Sequence, residues 1–392
     1  MKRTLTLAML LAMSPVSMAM SAGEYVARAG DCAACHTSPG GVSLAGGKTF
    51  ATPIGEVYAT NITPDTEHGI GRYDFAAFDR AMREGIAQDG HNVYPAMPYT
   101  AYAQLSESDM RALYDYLMHE VPPDATSNRP VNWLVSQRWT LTFWNLLFHR
   151  HSAPYAPNPE KSAQWNRGAY LVQGVGHCGS CHTPRSWMLQ EKGRDEQSPD
   201  YVSGAVLDDW YAPSLRSGQL VAQELVALLK TGTSAHAAVA GPMAEVVSNS
   251  TQYLSDDDLN AIATYLGSLT VTPKPVSTPV TQRDPVRDQA RYDYIHYCSA
   301  CHGDNGVGEE GVVPALAGSR AVMQPNPTSL IRVILEGART PITQHQSEYE
   351  MPGIGWTLGD ERVAELINFL RSQWGNQAGQ VTPAQVKALR HH

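Results

Sequence analysis

The cysteines are the feature that most constrains this chain. All six fall into three pairs with two residues between the members, and each pair is followed at once by a histidine. The motifs are CAACH (Cys32, Cys35, His36), CGSCH (Cys178, Cys181, His182) and CSACH (Cys298, Cys301, His302). An even number of cysteines in an exported chain would ordinarily indicate disulfides, but disulfides do not explain a histidine at the same place three times.

The spacing fits a different covalent chemistry. Two thiols three residues apart lie on one face of a helical turn, where they can add to the two vinyl groups of one haem, and the adjacent histidine can bind its iron. A thioredoxin-type pair needs no histidine there, and a zinc site would need four ligands drawn from two such motifs. The three motifs therefore predict three covalent haems c.

A six-coordinate haem iron needs a second axial ligand, and a methionine thioether is the usual one at high potential. Each motif is followed by a methionine in a proline-containing loop, and these are Met97, Met243 and Met351. The first two follow the histidine of their motif by 61 residues and the third by 49. A histidine lies six or seven residues before each methionine, so a bis-histidine iron is the alternative; these are His91, His236 and His345.

The same order of features occurs three times: a helix leading into the motif, a middle stretch, the methionine loop and a closing amphipathic helix. The first two closing helices begin with a variant capping box, Ser106 with Asp109 and Ser255 with Asp258. We predict an all-α fold of three tandem cytochrome c-like domains at residues 23–120, 167–270 and 287–375. The remaining parts are a signal peptide at 1–22, an aromatic-rich connector at 121–166, a proline-rich linker at 271–286 and a C-terminal tail at 376–392.

The first residues have the pattern of a secretory signal. Two basic residues precede an apolar run from Leu5 to Met13, and the small residues that follow allow cleavage after Ala19 or Ala22. The run is too short to span a bilayer, and no later stretch reaches about 18 uninterrupted apolar residues. We expect an exported, periplasmic protein, and a net charge of -9 provides no electrostatic footprint for nucleic acid.

The connector after the first domain contains an apolar helical face. Trp139, Phe143, Leu146 and Leu147 lie at helical spacing on this face. It either packs between two haem domains, binds a partner dehydrogenase, or rests on a membrane surface.

The chain resembles the triheme cytochrome c subunits of bacterial membrane-associated dehydrogenases, such as those for gluconate, alcohol or related sugars and polyols. The resemblance rests on GDCAACHT (30–37), TPIG (52–55), NITPD (61–65), YPAMPY (94–99), RGAYL (167–171), GPM (241–243) and WGN (374–376). It implies the axial pairs His36 with Met97, His182 with Met243 and His302 with Met351.

The resemblance also implies the partners. A separate catalytic subunit with a flavin or quinone cofactor would supply electrons, with or without a small accessory subunit, and membrane ubiquinone would accept them. The protein would then lie on the outer face of the bacterial inner membrane.

Iron that is saturated by histidine and methionine has no open position for a substrate. We therefore expect outer-sphere electron transfer and no substrate-oxidising site on this chain. The competing hypothesis is a haem enzyme such as a peroxidase, in which one methionine stays unbound and its iron is open to peroxide.

Overall fold

The computed structural model of the protein describes residues 20–52, 55–149, 153–216, 222–269 and 285–390. The predicted signal peptide up to position 19 and the predicted linker up to position 284 lie outside the described residues. The regular structure of the described chain is mostly helical. It also contains four two-stranded antiparallel sheets, which an all-α fold does not include.

We call residues 20–149 the first region, 153–269 the second and 285–390 the third. The first region contains α1 (Ala22–Ala29), α2 (Cys32–His36), β1 (Thr49–Thr52), β2 (Gly55–Tyr58), α3 (Phe75–Glu84), α4 (Tyr99–Tyr102), α5 (Glu107–His119) and α6 (Thr140–Phe148).

The second region contains α7 (Ala163–Tyr170), a π-helix (Leu171–Val175), α8 (Gly179–His182), β3 (Ala205–Leu207), β4 (Trp210–Ala212), α9 (Ala222–Thr231), β5 (Thr233–Ser234), β6 (Ala237–Ala238), α10 (Pro242–Asn249), a 3₁₀ turn (Thr251–Tyr253) and α11 (Asp256–Gly267). The third contains α12 (Pro285–Tyr297), α13 (Ser299–His302), α14 (Arg320–Met323), α15 (Thr328–Glu336), β7 (Gly337–Arg339), β8 (Glu350–Pro352), α16 (Asp360–Leu370) and α17 (Pro383–Leu389).

In each region the helix before the cysteine motif packs on a helix that follows the methionine: α1 on α5, α7 on α11, and α12 on α16. In the first two regions the helices cross so closely that only glycine fits. A Cβ atom added to Gly23 would lie 2.1 Å from the carbonyl oxygen of Ala112, and one added to Gly168 would lie 2.0 Å from that of Ala261. The two regions are therefore built on the same plan.

Each predicted capping box has only one of its two hydrogen bonds. The hydroxyls of Ser106 and Ser255 accept hydrogen bonds from the backbone N–H groups of Asp109 and Asp258, at 3.1 Å in both helices. In a complete capping box the acidic side chain would return to the backbone N–H of the serine. Here a tyrosine hydroxyl from the other region binds that N–H group instead.

The two tyrosines are exchanged between the regions. The hydroxyl of Tyr25 donates to the Asp258 carboxylate at 2.6 Å, and that of Tyr170 donates to Asp109 at the same distance. Each hydroxyl also accepts from the capping serine N–H, at 3.0 Å for Tyr25 and 3.1 Å for Tyr170. We call this reciprocal arrangement the tyrosine latch, and it binds the first and second regions to each other.

Buried side chains of the first and second regions form one hydrophobic core. Leu113 of α5 and Leu266 of α11 both belong to it. Both are buried, as expected for the apolar face of the predicted closing amphipathic helices. The third region has a separate core, built around Ile331 and Leu366. The three repeats are therefore packed as a fused pair and a third unit.

The third region contacts the second through polar groups. The Ser329 hydroxyl accepts from the backbone N–H of Tyr211 at 2.8 Å and donates to the carbonyl of the same residue at 3.1 Å. The guanidinium of Arg332 lies 4.7 Å from the centre of the Trp210 ring. These contacts place α15 against the β3–β4 hairpin.

The residues after position 375, which the sequence assigns to a tail, contain α17. The helix begins with a complete capping box between Thr382 and Gln385. Val386 is buried in the core of the third region, and Arg390 donates to the carboxylate of Asp360 at 2.7 Å.

The connector helix α6 is fixed by one side only. The hydroxyl of Tyr99 donates to the amide oxygen of Asn145 at 2.6 Å, and the indole N–H of Trp144 donates to the carbonyl of Met188 at 2.9 Å. The predicted apolar face points to solvent, so the interpretation that it packs between two domains is wrong. No helix among the described residues is long and apolar enough to cross a bilayer.

Candidate haem sites

Each cysteine motif forms a short turn of helix, and none of the six thiols is in a disulfide. Burial raises the pKa of Cys32, Cys178 and Cys298 to about 12. Thiols with such pKa values stay protonated at neutral pH, whereas a thioredoxin-type pair depends on a thiolate. The raised pKa values therefore differ from the reactive thiolate of a thioredoxin-type pair.

The motif histidines share one geometry. Each Nδ1 atom is hydrogen-bonded to a backbone carbonyl: His36 to Thr60 at 2.6 Å, His182 to Pro213 at 2.7 Å, and His302 to Pro314 at 3.0 Å. Because a carbonyl oxygen can only accept, Nδ1 carries the proton and Nε2 keeps its lone pair. Burial lowers the pKa of all three histidines, which keeps the imidazoles neutral. Such a fixed tautomer is what a metal-binding histidine requires.

The three predicted methionine ligands border the same cores as the motifs. Met97 and Met243 pack against the shared core together with Cys32 and Cys178, and Met351 packs against the core of the third region together with Cys298. Met97 lies in a turn, as predicted, whereas Met243 lies in the first turn of α10 and Met351 lies in β8. The secondary structure of the methionine segments thus differs between regions.

The alternative histidine ligands have other partners or are exposed. Nδ1 of His91 pairs with the carboxylate of Asp89 at 2.5 Å, and Nδ1 of His236 pairs with Glu224 at 2.6 Å. His345 is exposed on a loop. In His91 and His236 the contact is made by Nδ1, so these positions are compatible with the bis-histidine alternative as well as with methionine.

The first two motifs lie close together across the shared core. Nε2 of His177, the residue before the second motif, lies 3.2 Å from the carbonyl oxygen of Gly30, which also accepts from the hydroxyl of Tyr102 at 2.7 Å. The rings of His177 and Tyr102 meet edge to face, with centroids 5.4 Å apart. His177 is therefore packed between the first two motifs.

The position of His177 has a signal in the sequence, which is the spacing between the crossing glycine of the first helix and the motif. The first motif cysteine lies nine residues after Gly23 but ten residues after Gly168. The extra residue is absorbed by the π-helix Leu171–Val175, which leads directly to His177. A one-residue insertion in a repeated helix is the usual origin of a π-bulge, and such bulges occur often at functional sites.

A cleft of about 640 Å³ lies between the second and third regions. Its lining includes Trp210 and Gly241 of the second region and Arg339 and Met351 of the third. Met351, a predicted methionine ligand, therefore lines the cleft itself. The other predicted ligand in this part of the structure, Met243, does not line it, but Gly241 two residues before it does.

Comparison with known proteins agrees with these features. Residues 20–120 match the family model "Cytochrome c", and residues 286–370 match "Cytochrome C oxidase, cbb3-type, subunit III". The cytochrome c subunit of the quinone alcohol dehydrogenase of Gluconacetobacter polyoxogenes is 44% identical, with 94% of this chain and 83% of that protein covered.

Two further relatives match over nearly the whole chain. The cytochrome c subunit of gluconate 2-dehydrogenase of Pantoea cypripedii is 42% identical, with 94% of this chain and 88% of the relative covered. The cytochrome subunit of fructose dehydrogenase of Gluconobacter japonicus is 38% identical, with 95% and 82% covered.

Proposed function

Because the chain belongs to the family of cytochrome c subunits of dehydrogenase complexes, we propose that it relays electrons from a catalytic dehydrogenase subunit to ubiquinone. It carries three covalent haems c, one in each of three tandem cytochrome c domains. The observation that carries this proposal is the histidine geometry, which is the same in all three regions and leaves three Nε2 atoms free to bind iron.

The residues present fit haem c. The paired thiols of each motif would form the thioether bonds, and the axial pairs would be His36 with Met97, His182 with Met243, and His302 with Met351. When bound, haem supplies a reversible one-electron iron couple. The carbonyls of Thr60, Pro213 and Pro314 hold the imidazole rings in one orientation and increase their basicity.

The partner follows from the family. The relatives are cytochrome subunits of alcohol, gluconate and fructose dehydrogenases, so the catalytic subunit oxidises an alcohol, a sugar or a sugar acid with a flavin or quinone cofactor. The complex contains this catalytic subunit with or without a small accessory subunit. The protein is periplasmic and peripheral on the outer face of the inner membrane, where ubiquinone accepts the electrons.

The structure favours one of the two signal cleavage sites. The hydroxyl of Ser21 accepts from the backbone N–H of Glu24 at 3.1 Å and caps α1. Cleavage after Ala22 would remove this cap, whereas cleavage after Ala19 retains it. We expect the mature chain to begin at Met20, which N-terminal sequencing would check.

The proposed ligands can be tested by replacing Met97, Met243 and Met351 with leucine, one at a time, in the full-length holoprotein. Leucine conserves most of the volume but lacks the sulfur ligand. Each variant should still contain three haems per chain by the pyridine haemochrome assay, and one of three midpoint potentials should fall while the other two stay unchanged.

Met118→Leu is the matched control, because Met118 packs against the shared core but is not a proposed ligand. It should keep all three potentials. Three ligand variants with unchanged potentials would refute the methionine assignment. Rapid cyanide binding at one iron of the wild-type protein would support the peroxidase alternative instead.

A further inference from the structure

The exposed face of α6 is part of a larger apolar surface, which we call the aromatic ridge. Its side chains are 52 to 89% exposed, and they are Trp133, Trp139, Phe143, Leu146, Leu147 and Trp187. The hydrogen bond from Trp144 to the carbonyl of Met188 joins the loop that carries Trp187 to α6. A set of large apolar side chains exposed on neighbouring segments marks a candidate interaction surface.

The ridge is held outward by a fixed helix. On the inner side of α6, the amide of Asn145 accepts from Tyr99, and the imidazole Nε2 of His149 lies 2.6 Å from the carbonyl of Arg83. The guanidinium of Arg194 donates to the carbonyl of Phe148 at the end of the helix. The exposed face is therefore a preformed surface that needs no rearrangement to meet a partner.

The chain segments that carry the ridge contain more basic than acidic residues, and the exposed carboxylate found beside Arg138 is that of Asp89. Residues 125–159 contain no aspartate or glutamate but contain Arg129, Arg138 and Arg150. Residues 183–190, the loop of Trp187, contain Arg185 and no acidic residue. The chain as a whole has 38 acidic and 29 basic residues, so this surface differs from the rest of the protein in charge. It is complementary to an anionic surface.

The composition of the ridge favours a bilayer as that surface. Helix α6 (TLTFWNLLF) has nine residues and no charged side chain, so it is too short to cross a membrane and can only lie along one. Three exposed indoles, from Trp133, Trp139 and Trp187, are typical of the headgroup layer, where the amphipathic ring is most stable.

We propose that the aromatic ridge inserts into the headgroup layer of an anionic phospholipid membrane and so attaches the protein to the surface on which ubiquinone is reduced. This inference rests on the proposed function, because it names the part of the chain that makes the membrane contact. Arg138, which precedes Trp139, and Arg185, in the loop of Trp187, attract the anionic headgroups, and the apolar side chains of α6 enter the lipid.

The test compares the full-length holoprotein with the double variant Phe143→Asp/Leu147→Asp. Both positions are exposed, so the fold should tolerate the change, which thermal melting and the haem spectrum would check. We expect the wild type to sediment with vesicles of equal parts phosphatidylglycerol and phosphatidylcholine, and less with phosphatidylcholine alone or at high salt. The double variant should bind the mixed vesicles at least about tenfold more weakly.

A matched control places the same charges on another exposed apolar face. Tyr292 and Ile295 on α12 are 60% and 49% exposed, and Tyr292→Asp/Ile295→Asp should bind vesicles as the wild type does. The inference is overturned if Phe143→Asp/Leu147→Asp also binds like the wild type. It is equally overturned if the wild type does not bind vesicles and the ridge variant instead fails to copurify with the dehydrogenase, since the ridge would then bind protein.

The same preparations separate this inference from the proposed function. Haem content and reduction by a soluble dye are measured before vesicles are added. Fewer than three haems, or no reduction, would contradict the proposed function whatever the vesicles show. Three reducible haems with vesicle binding that is equal in all variants would contradict the inference alone.

Discussion

The first and second regions share one hydrophobic core and exchange a tyrosine in each direction, whereas the third region has its own core and contacts the second by polar groups. The helix pairs that flank the motifs are alike in the three regions, so the difference lies in how the regions are joined. A fused core fixes the relative position of two motifs. A polar interface of a few hydrogen bonds holds the third motif with less free energy.

The largest expected effect comes from removing a haem attachment site, in one variant from the fused pair and in another from the third region. Cys178→Ala/Cys181→Ala should lower the haem count by one and destabilise the first and second regions together, by more than about 4 kcal/mol, since haem fills more of the core than an aromatic side chain does. Cys298→Ala/Cys301→Ala should destabilise the third region alone. Calorimetry with limited proteolysis would show which segments are cleaved first.

The comparison fails if the variant without the second motif leaves the first region protease-resistant at its original melting temperature. That result would mean that the two regions fold separately in spite of their common core.

A smaller effect is expected from the tyrosine latch. Tyr170→Phe should lower the free energy of unfolding of the fused pair by about 2 kcal/mol, because the half-buried carboxylate of Asp109 then loses its tyrosine donor. Tyr25→Phe should cost only about 1 kcal/mol, because Arg167 still donates two hydrogen bonds to Asp258, each 2.7 Å long. Calorimetry at neutral pH would measure both.

The measurement is made at neutral pH because the tyrosine hydroxyl of the latch is protonated there. Burial and the hydrogen bond to Asp109 raise the pKa of Tyr170 to about 12, so its hydroxyl remains a donor throughout the neutral range. Tyr294→Phe is the control, because its hydroxyl donates to the carbonyl of Gly303 within the third region. It should lower the stability of the third region only, and a shift in the fused pair would argue that the three regions unfold as one.

The sequence predicts the features that depend on short spacings. The cysteine motifs, the N-caps at Ser106 and Ser255 and the buried stripes of the closing helices all lie within a few turns of chain, where residue type and periodicity determine the outcome. The position of the motif histidines follows for the same reason, although their carbonyl partners lie 12 to 31 residues away and could not be named.

The features that the sequence does not predict depend on distant partners. The hydroxyl of Tyr25 enters a helix cap 230 residues away, and no local pattern encodes such a contact. For the same reason the helical spacing of α6 identifies an apolar face but not the side that packs, because Trp144 and Asn145 on its other side are fixed by Met188 and Tyr99. The burial of α17 likewise depends on the surface of α16.

The smallest expected effect tests the polar interface of the third region. The hydroxyl of Ser329 both accepts from and donates to the backbone of Tyr211, so Ser329→Ala should weaken the docking of α15 by about 1 kcal/mol. The Tyr211 amide should then exchange with deuterium about fivefold faster, because its acceptor is lost. Ser329→Thr keeps the hydroxyl and should restore the protection.

The amides of α7 and α11 provide the comparison within the same sample, since they belong to the fused pair. If Ser329→Ala leaves exchange at Tyr211 unchanged, the hydroxyl does not hold the interface. If the faster exchange spreads to α7 and α11, the third region supports the fused core. The polar interface and the fused core are then energetically coupled. Faster exchange that is confined to the β3–β4 hairpin means that the Ser329 hydroxyl holds the hairpin without supporting the fused core.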